Sequence, residues 1–269
     1  MAAKDAVNRA LRRVSGFELR RAAGPRASGP EERLVRAPVF VMCTVRSGST
    51  LLRVVLNSHS RICAPHELHL PLLAVGFEEG YTRLAVRELG LNKAQLEYLL
   101  WDRVLDRELR RSGKDVIVEK TPDNALAWRR IVECWPDARF VYLLRHPAAV
   151  VNSLHAALND RDVGAVVDEV MPYARGMDEA RAARPGLTVR YEDLVTTPET
   201  VMRDVCAFLE VAWEPQMLNY GEHDHGTYEA GIGDWSDNIR SGRIQPPQAI
   251  PDVSAFPPEV AELARAWGY

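Results

Sequence analysis

The chain has little that would place it in a membrane, in a disulfide scaffold or on nucleic acid. No run of about 18 apolar residues occurs, so no transmembrane helix is expected. Only four cysteines, Cys43, Cys63, Cys134 and Cys206, are spread over 269 residues. No C-x-x-C pair joins any two of them, which predicts free buried thiols. The opening MAAKDAVNRALRRVSG has no apolar h-region, so no secretory signal is read there. Together these absences predict a cytoplasmic protein. A net charge of −3 argues against a nucleic-acid-binding domain, which would be basic. There is no H-E-x-x-H helix and no G-x-S-x-G elbow. Two histidines around one aspartate, His223 to His225 in EHDHG, are too few for a metal site, and no metal is expected.

What is present is an ordinary globular balance of 46% hydrophobic and 26% charged residues. The length suits one large α/β domain and a sizeable core. Residues 1–36 stand apart as a basic N-terminal arm and linker, with nine Lys/Arg against four Asp/Glu. Val7, Ala10, Leu11, Val14 and Phe17 recur at helical spacing. AAGPRASGPEE, residues 22–32, is a Gly/Pro/Ser linker. The arm is read as a helix packed on the domain or a loose tail, and otherwise as a docking helix for a partner or a membrane surface.

From residue 37 to 269, apolar strand runs alternate with helical ones. Strands are expected at Val39–Cys43, Val116–Glu119, Arg139–Leu144 and Leu187–Tyr191. Helices are expected from Ser49, as a pair over about 81–111, over Asn124–Cys134, after Pro147, and over Thr197–Leu209. Pro147 suits a first helical turn, where its missing N–H costs nothing. Apolar strands alternating with helices predict a single α/β domain, with a central parallel sheet covered on both faces.

The first strand runs into VRSGST and then a helix, the plan of a phosphate-binding loop. Against G-x-x-x-x-G-K-[ST], Cys43 stands for the first glycine and Ser49 for the lysine. Ligands of such sheets bind beyond the carboxyl ends of the strands. There the chain offers Arg46 with the SGST turn, Lys120 in EKTPDN, and Arg145 in RHPAAVVNS. Each could be a surface salt bridge, but three cations on one edge argue for an anion site. A triphosphatase would want the loop lysine and a carboxylate for Mg²⁺. Here backbone N–H groups at Gly48 to Thr50 would cradle one anion at a helix N-terminus. Arg145 and Ser153, eight residues apart, would clamp a second. A nucleoside with phosphate groups at both ends would fit the pair.

These segments resemble the sulfotransferases that use 3′-phosphoadenosine 5′-phosphosulfate (PAPS). VRSGSTLLRVVLNSHSRIC resembles the motif that grips the 5′-phosphosulfate, in the arginine-bearing style of tyrosylprotein and many bacterial enzymes. FVYLLRHPAAVVNSL resembles the 3′-phosphate motif. The resemblance spans about residues 38–269 and implies a P-loop-like fold. It implies that Arg46, Ser47, Gly48, Ser49 and Thr50 hold the 5′-phosphosulfate, Arg145 and Ser153 the 3′-phosphate, with Tyr191 near the nucleotide. GIGDWSDNIRSGRIQ resembles the cofactor-covering loop. Tyr228, Glu229 and Ala230 depart from its usual Arg-Lys-Gly run, and Arg240 or Arg243 would have to substitute.

Transfer to a hydroxyl needs a base, stabilisation of developing charge, and alignment. Arg46, Lys120 and the loop amides would stabilise charge. Glu67, in CAPHELHLPLL, aligns with the base of the resembling enzymes. His66 or His69 is the alternative, since imidazole titrates near neutrality. On a helix those two would share one face, or they only pack or cap. The acceptor pocket is expected from residues 68–111, including Leu68, Leu70, Leu72, Leu73, Phe77, Tyr81, Tyr98 and Trp101, with ordinary helical core as the alternative reading for most of them. Residues 155–185 are read as a lid or an extra surface helix, and His223 and His225 as pocket rim or surface. A small-molecule hydroxyl, free or carrier-bound, is the expected acceptor. A Mg²⁺- and ATP-dependent small-molecule kinase and a non-catalytic nucleotide-binding protein are the alternatives.

Overall fold

The computed structural model describes residues 33–76, 80–159, 161–226, 228–229 and 237–269. Residues 1–32 of the expected arm and linker (1–36), Phe77, Ala230 and the GIGDWS stretch lie outside them. Five strands, β1 (Val39–Cys43), β2 (Ile62–Cys63), β3 (Val116–Lys120), β4 (Arg139–Leu144) and β5 (Leu187–Arg190), form one sheet in the order β2-β3-β1-β4-β5. Every pairing is parallel. β2 has two residues, too short for any period, and the sequence reading has no counterpart for it.

Alternation along the strands sorts the two cores. Phe40 and Met42 of β1 point to one face, with Ile117, Phe140, Tyr142 and Leu144 from the neighbouring strands. Among the described residues, α3 (Lys93–Ser112), α4 (Asn124–Cys134) and α6 (Val163–Ala183) cover that face, with Leu263 from the C-terminal helix joining the same core. Val39, Val41 and Cys43 point the other way, with Val118, Val141, Leu143 and Val189. There they meet α1 (Ser49–Asn57), the short α7 (Tyr191–Thr196) and α8 (Pro198–Phe208). A helix layer on each face removes the apolar surface of both from water, which is why the strands read as continuous apolar runs. A third cluster joins α5 (Pro147–Ala157), α6 and Val260. The remaining helices are α2 (Tyr81–Glu88), α9 (Asp237–Arg240) and α10 (Pro258–Ala266).

All four cysteines are buried and free. Residues 33–35 are fastened to the domain. Arg33 Nε donates to the Cys134 carbonyl at 2.8 Å, and the amides of Leu34 and Val35 donate to the buried carboxylate of Asp102.

Two expectations are corrected here. The segment 155–185 is no lid or surface addition. Val166, Val167, Val170, Ala174, Met177 and Ala180 of α6 are buried, and Gly176 lies so close to α4 that a Cβ there would sit 2.2 Å from the Ala125 carbonyl oxygen. Residues 66–69 are not helical either, so His66 and His69 share no helix face.

Candidate active site

The parallel sheet brings its carboxyl ends to one edge, and the loops there enclose a cavity of about 400 Å³. Its wall includes Arg46, Gly48, Ser49, Thr50, Glu67, Arg145, Ser153, Tyr191 and Arg243. A second space of about 360 Å³ adjoins it and shares Arg46, Arg145, Ser153 and Tyr191. The register explains the convergence. Lys120 pairs with Val41 inside the sheet, and Arg145 directly follows the last residue of β4.

The turn after β1 is built for close approach. Arg46 and Gly48 both take left-handed backbone, at φ 59° and 85°. The helix α1 begins at Gly48 without any side-chain cap, so its first amides are not taken by one. A Cβ on Gly48 would lie 2.2 Å from Cδ2 of Tyr191, so the Tyr191 ring lies directly over the glycine. Ser47 is fully buried behind this wall. Cys43, at the first-glycine position, is also fully buried, and burial pushes its thiol up to about 11, so it is no nucleophile near neutrality.

Arg145 ties the two anion loci together. Its Nη1 donates to the Arg46 carbonyl at 2.8 Å, and its guanidinium lies 4.4 Å from the Tyr191 ring centroid. Arg46 Nε in turn donates to Ser153 Oγ at 3.3 Å. Burial lowers the pKa of Arg145, with Tyr191 and Glu192 opposing. Arginine stays charged in proteins regardless. Among the described residues, its buried Nε has no hydrogen-bond partner. The residue lines the cavity wall, where a cationic guanidinium suits an anion.

Glu67 faces the cavity, and Lys120 lies behind it. The Lys120 ammonium is fully buried and donates to Oε1 of Glu67. Oε2 of Glu67 is 3.5 Å from Nε2 of His69. His66 is exposed, with Nδ1 against the Glu67 carbonyl at 2.9 Å. The structure therefore brings Glu67, Lys120 and His69 together, and places Lys120 on Glu67 rather than on the open wall.

Glu119, the one acidic residue the sequence offers at a strand end, holds this segment together with Thr121 and Asn124. Glu119 is fully buried. It accepts from the Leu68 amide at 3.2 Å, from Thr121 Oγ1 at 2.6 Å and from Asn124 Nδ2. Burial pushes its carboxyl pKa up, and those donors push it back. Thr121 Oγ1 accepts from the His69 amide at 3.2 Å. All of these lie in or beside EKTPDN, whose density of polar side chains at a strand end was the available signal.

The expected acceptor wall is corrected. Among the described residues, none of 68–111 lines the main cavity. Leu70, Tyr98 and Trp101 are buried in the core of the opposite sheet face, while Leu72 and Tyr81 are exposed. The apolar wall comes instead from Val45, Leu51, Leu154, Leu158, Tyr220 and Ile239, with Asn238, Glu169 and Gln245 as polar points. Arg243 lines it too, whereas Arg240 donates to the Tyr228 carbonyl at 3.2 Å. His225 is neither rim nor surface. It is buried against the Tyr220 carbonyl (2.7 Å) and Asn57 (3.2 Å).

A sequence model of the sulfotransferase family matches residues 38–215, which include every wall residue of the strand ends named above. The chain belongs to the sulfotransferase family. Among curated relatives, protein-tyrosine sulfotransferase 1 of Danio rerio is 24% identical over 202 residues, 68% of this chain and 56% of that protein. The Drosophila melanogaster protein-tyrosine sulfotransferase is 22% identical over 204 residues, 68% and 40%. This sulfotransferase chain thus spans about half the length of the curated relatives it matches. Among solved structures, the sulfotransferase domain of the Synechococcus PCC 7002 olefin synthase superposes with a TM-score of 0.64. It is 23% identical, and the match covers 87% of this chain and 96% of that one. The sulfotransferase domain from the curacin biosynthetic pathway gives 0.60 and 22%, covering 87% and 98%. At that identity the superpositions show the P-loop-like fold.

Proposed function

We propose that the chain transfers a sulfuryl group from PAPS to a hydroxyl of a small molecule, free or carrier-bound. One observation carries the reading. A single cavity has an uncapped helix start at one anion locus, a guanidinium in its wall at the next, and a carboxylate between wall and cation. These residues fit the cofactor. Gly48, Ser49 and Thr50, with Arg46, would hold the 5′-phosphosulfate. Arg145 and Ser153 would hold the 3′-phosphate, and Tyr191, packed on both loci, would flank the nucleoside. Ser47 would contribute its backbone. PAPS supplies an activated sulfuryl group and leaves as 3′,5′-ADP.

The chain's own residues do the rest. Glu67 takes the proton of the acceptor hydroxyl. Lys120 fixes one Glu67 oxygen and leaves the other toward His69, so the carboxylate is oriented before any acceptor arrives. Its charge, with Arg46 and the first amides of α1, favours negative charge developing at this end of the cavity. The mostly apolar wall of Val45, Leu51, Leu154 and Leu158 suits an apolar acceptor. The near-complete coverage of two biosynthetic sulfotransferase domains supports a natural-product, lipid or sugar hydroxyl over a peptide tyrosine.

The test is label transfer from [³⁵S]PAPS to a panel of phenols, sterols, sugars, hydroxy fatty acids and a tyrosine peptide flanked by acidic residues. A small-molecule hydroxyl should accept and the peptide should not. Glu67→Gln should lose at least about 100-fold in transfer, the scale of a general base, while binding 3′,5′-ADP as tightly as before. Labelling by [γ-³²P]ATP with Mg²⁺, and none by PAPS, would replace this reading with a kinase.

A further inference from the structure

Behind Glu67 stands a second carboxylate that the transfer reaction as described does not use. Asp123 directly precedes α4, with its side chain making no cap to that helix. Its Oδ2 lies 3.5 Å from Nδ1 of His69, and the other ring nitrogen of His69 lies 3.5 Å from Oε2 of Glu67. Oδ1 of Asp123 accepts from the Tyr173 hydroxyl at 3.1 Å. The imidazole therefore stands between two carboxylates, one at the cavity and one away from it. His69 reaches this place at a backbone cost. It holds left-handed φ 48°, a conformation that a non-glycine residue keeps only when its surroundings impose it. Glu119 on the Leu68 amide and Thr121 on the His69 amide hold it there.

We propose that Asp123 and His69 form a proton exit behind Glu67, with Asp123 as the positioning residue. This rests on the sulfuryl-transfer reading of the site. Glu67 must give up the proton it gains before it can serve a second acceptor. The proton it takes from the acceptor hydroxyl passes from Oε2 to Nε2 of His69. The ring, now an imidazolium with Nδ1–H toward Asp123, is stabilised by that carboxylate, which itself gains no proton. His69 then releases the Nε2 proton to solvent, to which its side chain is 30% exposed. Glu67 is returned to its ionised form, so the cycle closes with one proton moved from acceptor to water. The 3.5 Å separations are the loose spacing common before a substrate tightens such contacts. Glu67 on its own segment and Asp123 before α4 both face the ring. Lys120 on β3 acts through Glu67, and Tyr173 on α6 acts through Asp123.

The experiment has two readouts. Nitrogen-15 NMR of the histidines, with 3′,5′-ADP bound, reports which ring nitrogen of His69 carries the proton. The parent should show Nδ1–H. Asp123→Ala should lose that preference, and Tyr173→Phe should keep it. Asp123 caps nothing in α4, so its replacement leaves the helix start intact. The second readout is PAPS turnover with water as the probe acceptor. Asp123→Ala should slow turnover about tenfold with the affinity for 3′,5′-ADP unchanged. In a His69→Gln background the same change should have no further effect, since it acts through the ring. An Nε2–H tautomer in the parent, or an Asp123→Ala effect that persists in His69→Gln, overturns the relay. A parent that binds 3′,5′-ADP but turns over no PAPS overturns the transfer reading beneath it, and is told apart by the parent's own rate.

Discussion

Gly48 serves two purposes at once. It supplies the left-handed turn into α1, and its missing Cβ lets the Tyr191 ring lie over the loop. Gly48→Ala should therefore cost at least about 2 kcal/mol, from strain and from overpacking together. It should also displace Tyr191 and with it the nucleotide. Chemical denaturation and 3′,5′-ADP titration of the same variant would check both effects. His225 carries a different residue-scale prediction. Its Nε2 faces the Tyr220 carbonyl, so that nitrogen bears the proton, and Nδ1 accepts from Asn57. The Asn57 orientation is fixed because its Oδ1 accepts from the Ala64 amide at 3.0 Å. A second proton on the ring has no acceptor there, and burial lowers the His225 pKa, with the Tyr220 carbonyl opposing and Arg53 and His223 adding. The folded state then binds fewer protons than the unfolded state below pH about 6.5. Stability is full above that pH and falls as pH drops through it. Melting curves between pH 7.5 and 5.5 should show the fall, and His225→Gln should flatten it. At this scale Glu67, Arg145 and Ser153 were legible because each sits in a motif of fixed order. Asp123 and Thr121 were not, and Glu119 was visible only as a strand-end carboxylate, because a carboxylate beside a lysine reads equally as a salt bridge until its partners are seen.

At the scale of elements, the strand ends were readable because β1, β3 and β4 are continuous apolar runs flanked by polar turns. The acceptor wall was not. Tyr98 and Trp101 stand on a helix whose sequence lies close after Glu67, and nearness in sequence suggested nearness to the site. Alternation in the sheet decides otherwise: α3 packs on the Phe40 and Met42 face, away from the cavity mouth. The wall comes from the turn after β1 and the start of α1, from α5 and the loop after it, and from Tyr220 and the segment near residue 240, far apart in sequence and lacking any shared pattern. The helix α6 illustrates the same limit, since a helical pattern does not say what lies beneath it. Gly176→Ala should cost about 2 kcal/mol or more, because its Cβ meets the Ala125 backbone and not a movable side chain. A variant as stable as the parent would return α6 to the role of a movable cover.

At the scale of the whole molecule, the fold turns a parallel sheet into a row of cations on one edge while the chain's net charge is −3. The central claim is that this edge holds a nucleotide with phosphates at its 3′ and 5′ positions. Thermal unfolding with added ligand tests it without knowledge of the acceptor. At a hundredfold excess over its dissociation constant, 3′,5′-ADP should stabilise the chain by about 2.7 kcal/mol, a rise of about 5 °C or more. Arg145→Ala should weaken that binding by about 10- to 100-fold, the worth of charge-assisted hydrogen bonds to one phosphate. Stabilisation by ATP with Mg²⁺ and none by 3′,5′-ADP would contradict the account.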